Sequence, residues 1–250
     1  MLRPIFCFLL AFWLSACAPS QDRGPIVLAA SSLQQPLEEL ADHWAAQGHD
    51  RPVFSFASSA ALARQIESGS AADLYISADH TWTGYLITQG RIDDAGIRTI
   101  ARNQLVLAAN ADARIADRLG PGSTLGEALQ AGRIVVGNPD TVPLGRYTRD
   151  ALDRQGLWQG IEGSVVPAAS AQQAVRLVSR GETPLGIIYL SDTAANQHVE
   201  TLHRIETAEP IEYLALRLPA SAHPDTSSFL DLLTSDRAAA IFQKHGFTVP

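Results

Sequence analysis

Between Pro25 and the carboxyl end, short apolar or β-branched runs alternate with segments of helical period, and no other feature constrains the fold so tightly. Residues 26–30 are apolar throughout, as a strand covered on both faces must be. Residues 33–47 set Leu37, Leu40, Ala41, Trp44 and Ala45 on one helical face, with Pro36 in the first turn, where its missing N–H does no harm. Strands are expected over 53–57 and 73–77, and helices over 60–67 and 80–89. Beyond Asn103 the pattern restarts. It gives strands over 104–109, 134–137, 164–167, 185–189 and 211–217, and helices over 125–131, 147–155, 171–180, 227–233 and 236–245. This is an α/β fold with mostly parallel strands. No internal repeat and no Pro/Ser-rich linker divides it, so two lobes would be joined by strand-like crossings near 100–103 and 211–214. Residues 25–101 plus 214–250 then form the first lobe, and 102–213 the second.

Charge and composition remove several functions. Nineteen basic against 26 acidic residues give a net charge of −7, which leaves no basic surface to neutralise a phosphate backbone, so no nucleic-acid partner is expected. Lys244 is the single lysine, which rules out a P-loop lysine and a Schiff-base lysine within the body of the fold. There is no G-x-S-x-G, G-x-G-x-x-G, H-E-x-x-H or C-x-x-C, and no two of the seven histidines stand at i, i+4. No catalytic residue and no cofactor are assigned.

The first residues read as a targeting segment, with Arg3 ahead of an apolar run over 5–13 that is too short to span a bilayer. Leu14-Ser15-Ala16-Cys17 follows and resembles the lipobox of bacterial lipoproteins. That resemblance implies a signal peptide over 1–16, acylation of Cys17, a lipidated tether over 17–24, and a soluble body held in the periplasm or cell envelope with no other membrane contact. Cleavage removes Cys7 and Arg3. The mature chain then keeps one cysteine, has no internal disulfide, and carries 18 minus 26, or −8.

Three strand-to-helix junctions carry small hydroxyl residues: Ser31-Ser32, Ser58-Ser59 and Ser170-Ala171. Each places unpaired backbone N–H groups, and the positive end of a helix dipole, at the carboxyl end of a strand, where open α/β sheets bind ligands. Taken singly, such serines are ordinary caps. Ser32-Leu33-Gln34-Gln35 and Ser170-Ala171-Gln172-Gln173 both fit the capping box.

The segment Phe54-Ser55-Phe56-Ala57-Ser58-Ser59-Ala60-Ala61-Leu62-Ala63-Arg64-Gln65-Ile66-Glu67-Ser68-Gly69, followed by Ala72-Asp73-Leu74-Tyr75-Ile76-Ser77-Ala78-Asp79, closely resembles the periplasmic molybdate-binding proteins of ABC transporters. Ala29-Ala30-Ser31-Ser32-Leu33, residues 136–145, Pro184-Leu185-Gly186-Ile187-Ile188-Tyr189 and the ending around Gly246-Phe247-Thr248 match that family in the same order, so the resemblance runs from Pro25 to the end. It implies the two-lobed periplasmic binding protein fold, type II-like, with a ligand cleft between lobes joined by a two-strand hinge. It also implies capture of molybdate or tungstate, with molybdenum entering as the oxyanion, delivery to ABC permease subunits, and a monomer. Carried over by residue, the oxyanion ligands are the hydroxyls and backbone N–H groups of Ser32 and Ser59, the N–H groups of Leu144 and Ala171, and the Tyr189 hydroxyl. Leu144 is larger, and Ala171 smaller, than the residues common there. Backbone donors survive both changes, but a bulkier Leu144 narrows the cleft unless its side chain turns away.

The chemistry agrees. A fully deprotonated tetrahedral dianion accepts hydrogen bonds on every oxygen, so a pocket of donors suits molybdate, tungstate or sulfate and penalises phosphate, which brings a proton. The same fold tuned to sulfate or another tetrahedral oxyanion stays open at this point, because backbone donors do not encode anion radius. A serine hydrolase is the alternative from another class, and it requires a histidine within hydrogen-bond reach of Ser32 or Ser59.

Overall fold

The computed structural model describes residues 23–92, 94–194 and 196–250; the signal segment and Cys17 lie outside them. Among the described residues, ten strands form two five-stranded sheets. In chain order the first half holds β1 (Ile26–Ala30), α1 (Gln34–Ala46), β2 (Val53–Ala57), α2 (Ser59–Glu67), β3 (Leu74–Ser77), α3 (His80–Thr88) and β4 (Arg98–Asn103). The second half holds β5 (Leu105–Asn110), α4 (Ile115–Leu119), α5 (Leu125–Leu129), β6 (Ile134–Gly137), α6 (Pro143–Arg154), α7 (Trp158–Ile161), β7 (Val165–Ala168), α8 (Ala171–Ser179), β8 (Leu185–Tyr189), α9 (Leu190–Ala194) and β9 (Val199–Ile205). The chain then returns through β10 (Ile211–Arg217), α10 (Thr226–Leu233) and α11 (Asp236–Lys244).

The first sheet has the order β2-β1-β3-β10-β4 and the second β7-β6-β8-β5-β9. Both follow one plan: three parallel strands, then a strand antiparallel to its neighbours on either side. In each sheet that antiparallel strand, β10 or β5, is the first one made after the chain crosses from the other sheet. The apolar run of β1 divides between two cores, Val27 and Ala29 facing one and Leu28 the other. The second sheet has a core of its own around Val106, Val135 and Ile187. Two sheets with separate cores, joined at two points, make the two-lobed α/β arrangement.

The crossings are short. Gln104 alone separates β4 from β5, and residues 206–210 separate β9 from β10. The first sheet reaches further than the sequence boundaries of 101 and 214, because the β4–β10 ladder continues to the Ile211↔Asn103 pair, which puts residues 102–103 and 211–213 in it. Its register slips between Tyr213 and Leu214. Such an irregularity re-aims a side chain.

Five elements differ from the sequence reading. The helix expected from residue 147 starts at Pro143, since proline at the first helical position forfeits no hydrogen bond. Strand β9 was not expected, because His198, Glu200, His203 and Arg204 interrupt its alternation; it is an edge strand with one face in water. The short helices α4, α7 and α9 are too brief to display a helical period.

Candidate functional site

The three serine-bearing junctions, the first turn of α6 and the end of β8 meet around one small, tight cavity. Ser32, Ser59, Leu144, Ala171 and Tyr189 all line it. The first two come from the first lobe and the other three from the second, and each lies at or beyond the carboxyl end of a parallel strand, as ligand sites on open α/β sheets do. Among the described residues no charged side chain lines the cavity.

Three helices point their amino ends at this space. In α2, Ser58 is the cap: its Oγ accepts the Ala61 N–H at 3.3 Å, which leaves the Ser59 N–H free of the helix. In α8, Ser170 Oγ accepts the Gln173 N–H at 3.2 Å and leaves that of Ala171. In α6, Val142 is the cap and its carbonyl takes the N–H groups of Gly145 and Arg146, so that of Leu144 is unclaimed. Aligned dipoles and unpaired N–H groups make a ready anion site. The Leu144 side chain is fully buried and packs in the second lobe's core.

Neither predicted capping box forms as expected. Ser32 sits in a short 3-10 turn over Ser31–Leu33, and α1 begins after it with no side-chain cap. Its Oγ lies 2.9 Å from the Tyr213 hydroxyl instead. At Ser170 the box is half made, because Gln173 Oε1 takes the N–H of Ala169 rather than that of Ser170. Ser59 Oγ accepts the Ala78 N–H at 3.0 Å, which turns its own proton outward. Neither serine hydroxyl is hydrogen-bonded to a histidine, as a nucleophile would need.

Tyr189 is 1% exposed, and among the described residues its hydroxyl has no hydrogen-bond partner. Two other buried hydroxyls share that condition, Tyr147 and Thr183, but neither lines the cavity. Burial, reinforced by the neighbouring Tyr213, Tyr147 and acidic groups, holds the Tyr189 phenol well above its ordinary pKa, so it stays a donor. Its backbone N–H is held by Asp192 Oδ2 at 3.2 Å. Burial pushes the Asp192 carboxyl up to about 7, against the effect of that N–H, which limits the negative charge beside an incoming anion at neutral pH.

The sequence reading missed the partners behind this first layer. Tyr213 lies behind Ser32, and Asn103 Nδ2 donates to the Tyr213 hydroxyl at 3.3 Å and to Ser191 Oγ at 2.8 Å. Across the mouth of the cleft, Arg146 Nε of the second lobe meets Asp79 Oδ2 of the first at 3.2 Å, with the Asp79 side chain 0% exposed. Asp79 Oδ1 also caps α3 through the Trp82 N–H. Burial raises the Asp79 pKa, while the Trp82 N–H and Arg146 oppose the rise. These pairings join residues far apart in sequence, so no local pattern displays them.

The sequence matches the bacterial extracellular solute-binding protein family over residues 26–248. It is 35% identical over 232 residues to the molybdate-binding protein ModA of Escherichia coli, covering 91% of this chain and 90% of that one. It is 31% identical over 226 residues to that of Haemophilus influenzae, covering 89% of each. The structure is similar to that of the periplasmic molybdate-binding protein of Azotobacter vinelandii, with a TM-score of 0.79, 26% identity, and coverage of 90% of this chain and 99% of that one. The fold, the cleft at the strand ends and these likenesses together make the chain a member of the bacterial extracellular solute-binding protein family.

Proposed function

We propose that the protein captures molybdate or tungstate outside the cytoplasm, by closing its two lobes over the anion, and hands it to the permease of an ABC transporter. Lobe 1 is residues 25–103 plus 211–250 and lobe 2 is 104–210, the boundaries of 101 and 214 moving outward with the β4–β10 ladder, and the β4–β5 and β9–β10 crossings are the hinge. The Cys17 lipid is its anchor to the membrane, and it acts as a monomer. Ser32 and Ser59 give hydroxyls and N–H groups, Leu144 and Ala171 give N–H groups, and Tyr189 gives its hydroxyl.

One observation carries this reading: a buried tyrosine hydroxyl with no partner among the described residues lines a small cavity together with free N–H groups and serine hydroxyls. An unmade buried hydrogen bond is costly, and a tetrahedral oxyanion supplies the missing acceptor. Backbone and hydroxyl dipoles hold the charge without a counter-ion, and excluding water strengthens each bond. The molybdate-binding names of the relatives support the choice of anion.

Calorimetric titration with molybdate, tungstate, sulfate and phosphate tests it. One-to-one heat is expected for molybdate and tungstate, with sulfate and phosphate silent, and Ser59→Ala should weaken that binding by about tenfold or more. Silence for all four anions on folded protein would sink the reading. Heat from sulfate alone would reassign the anion.

A further inference from the structure

A serine hydroxyl can donate or accept, so its presence at an anion site does not by itself select against a protonated anion. At Ser32 the surrounding hydrogen bonds settle the direction. The N–H of Gln104 reaches Asn103 Oδ1 at 2.9 Å, and the N–H of Ser191 reaches the same oxygen at 3.4 Å. Backbone N–H groups only donate, so this end of the Asn103 amide is its carbonyl and the other end is its NH2. Its two protons go to Ser191 Oγ and to the Tyr213 hydroxyl, at 2.8 and 3.3 Å.

Tyr213 is 0% exposed, and among the described residues its hydroxyl meets only Asn103 Nδ2 and Ser32 Oγ. Having accepted from Asn103, it has one acceptor within reach for its own proton, Ser32 Oγ at 2.9 Å. The reverse arrangement leaves a buried phenol proton without an acceptor. Ser32 Oγ therefore accepts from behind, and its proton turns into the cavity that it lines.

We propose that Asn103 and Tyr213 are positioning residues that lock the Ser32 hydroxyl as an outward donor, and so make this side of the cleft select oxyanions that present a bare lone pair over those that present a proton. The proposal rests on the reading that Ser32 touches the anion. Ser59 is locked the same way by the Ala78 N–H, a backbone group that no substitution reverses. The Asn103 relay can be reversed, because it ends on a side-chain amide.

Asn103→Asp is the reversing variant. One carboxylate oxygen keeps the Gln104 and Ser191 N–H groups, and the other can only accept. The Tyr213 proton then turns toward it, Ser32 donates to Tyr213, and a Ser32 lone pair faces the cleft. The readout is the ratio of molybdate to phosphate affinity at about pH 8.5, above the second phosphate ionisation, where both anions are divalent and phosphate keeps one proton. Phosphate too weak to give heat directly is measured by competition against bound molybdate at high phosphate concentration, which sets at least a lower bound on the parent's ratio. The added charge weakens both anions alike, so the ratio isolates the polarity.

Asn103→Asp should lower that ratio by about tenfold or more relative to the parent protein. Tyr213→Phe, which removes the relay and adds no charge, should lower it in the same direction by a smaller factor. An unchanged ratio in a folded variant, with binding weakened equally for both anions, overturns the proposal. Absence of molybdate binding by the parent protein is a different result, and removes the functional reading itself.

Discussion

At the scale of single residues, Tyr189 separates stability from binding. Its ring packs 6.3 Å from that of Tyr213 in an edge-on pair and belongs to the second lobe's core, while its hydroxyl has no partner among the described residues. Tyr189→Phe keeps the ring and deletes an unsatisfied donor, so thermal stability without ligand should stay level or rise by up to about 1 kcal/mol. Molybdate affinity should fall by about ten- to a hundredfold, since a hydrogen bond to a charged group is worth about 1.5–3 kcal/mol. Melting curves with and without molybdate check both halves; a large loss of stability with unchanged affinity would make Tyr189 a packing residue. The five predicted residues were legible through the resemblance to the molybdate-binding family, which places Ser59 in S-S-A-A-L and Tyr189 in L-G-I-I-Y, and all five line the cavity. Tyr213 and Asn103 were not legible. Tyr213 reads as one more apolar position of β10, and its tie to Ser32, 181 residues away, exists only once the sheet has formed.

At the scale of elements, the site depends on how closely α6 seats on the end of β6. Gly145 is in the first turn of α6, and a Cβ placed there would run into the Gly137 carbonyl at the end of β6. Only a residue without a side chain lets the helix start come that close, and that approach fixes where the Leu144 N–H points. Gly145→Ala should destabilise the protein by about 1–3 kcal/mol, which for a domain of this size lowers Tm by about 2–4 °C per kcal/mol. It should also weaken molybdate binding, because α6 must back away from the cavity. Gly84→Ala on α3 is the control, since a Cβ there meets nothing within 4 Å, and it should be neutral or stabilising. The strands and long helices were legible because their periodicity follows from burial: the face of α1 predicted to be apolar is the one that buries Leu37, Leu40, Ala41 and Trp44. The start of α6 was misplaced because the polar segment Asn138-Pro139-Asp140-Thr141 reads as a turn running into it, and the close fit of Gly145 on Gly137 is a tertiary fact.

At the scale of the whole molecule, the proposed closure of the lobes makes the Arg146–Asp79 pair a contact that forms only when they meet. It joins the two lobes directly, with the Asp79 carboxyl fully buried and the Arg146 side chain 24% exposed. The guanidinium also lies 4.3 Å over the Tyr147 ring and reaches Asp150, so it is held at the seam between the lobes. When the lobes part, both charges meet water. Their attraction then counts only for closure, and so do the consequences of removing one partner. Arg146→Met keeps the apolar stem but strands a buried carboxylate in the closed form, so closure and molybdate affinity should both weaken, the latter by about tenfold after allowance for the partly exposed arginine. Adding Asp79→Asn should recover much of that loss. A neutral amide needs no cation, and its oxygen can still cap α3 through the Trp82 N–H. Titration of the parent, the two single variants and the double variant forms a cycle whose coupling term measures the latch, and small-angle scattering of each at saturating molybdate should give the same compact dimensions. A double variant that binds no better than Arg146→Met would show that the stranded charge is not what opposes closure.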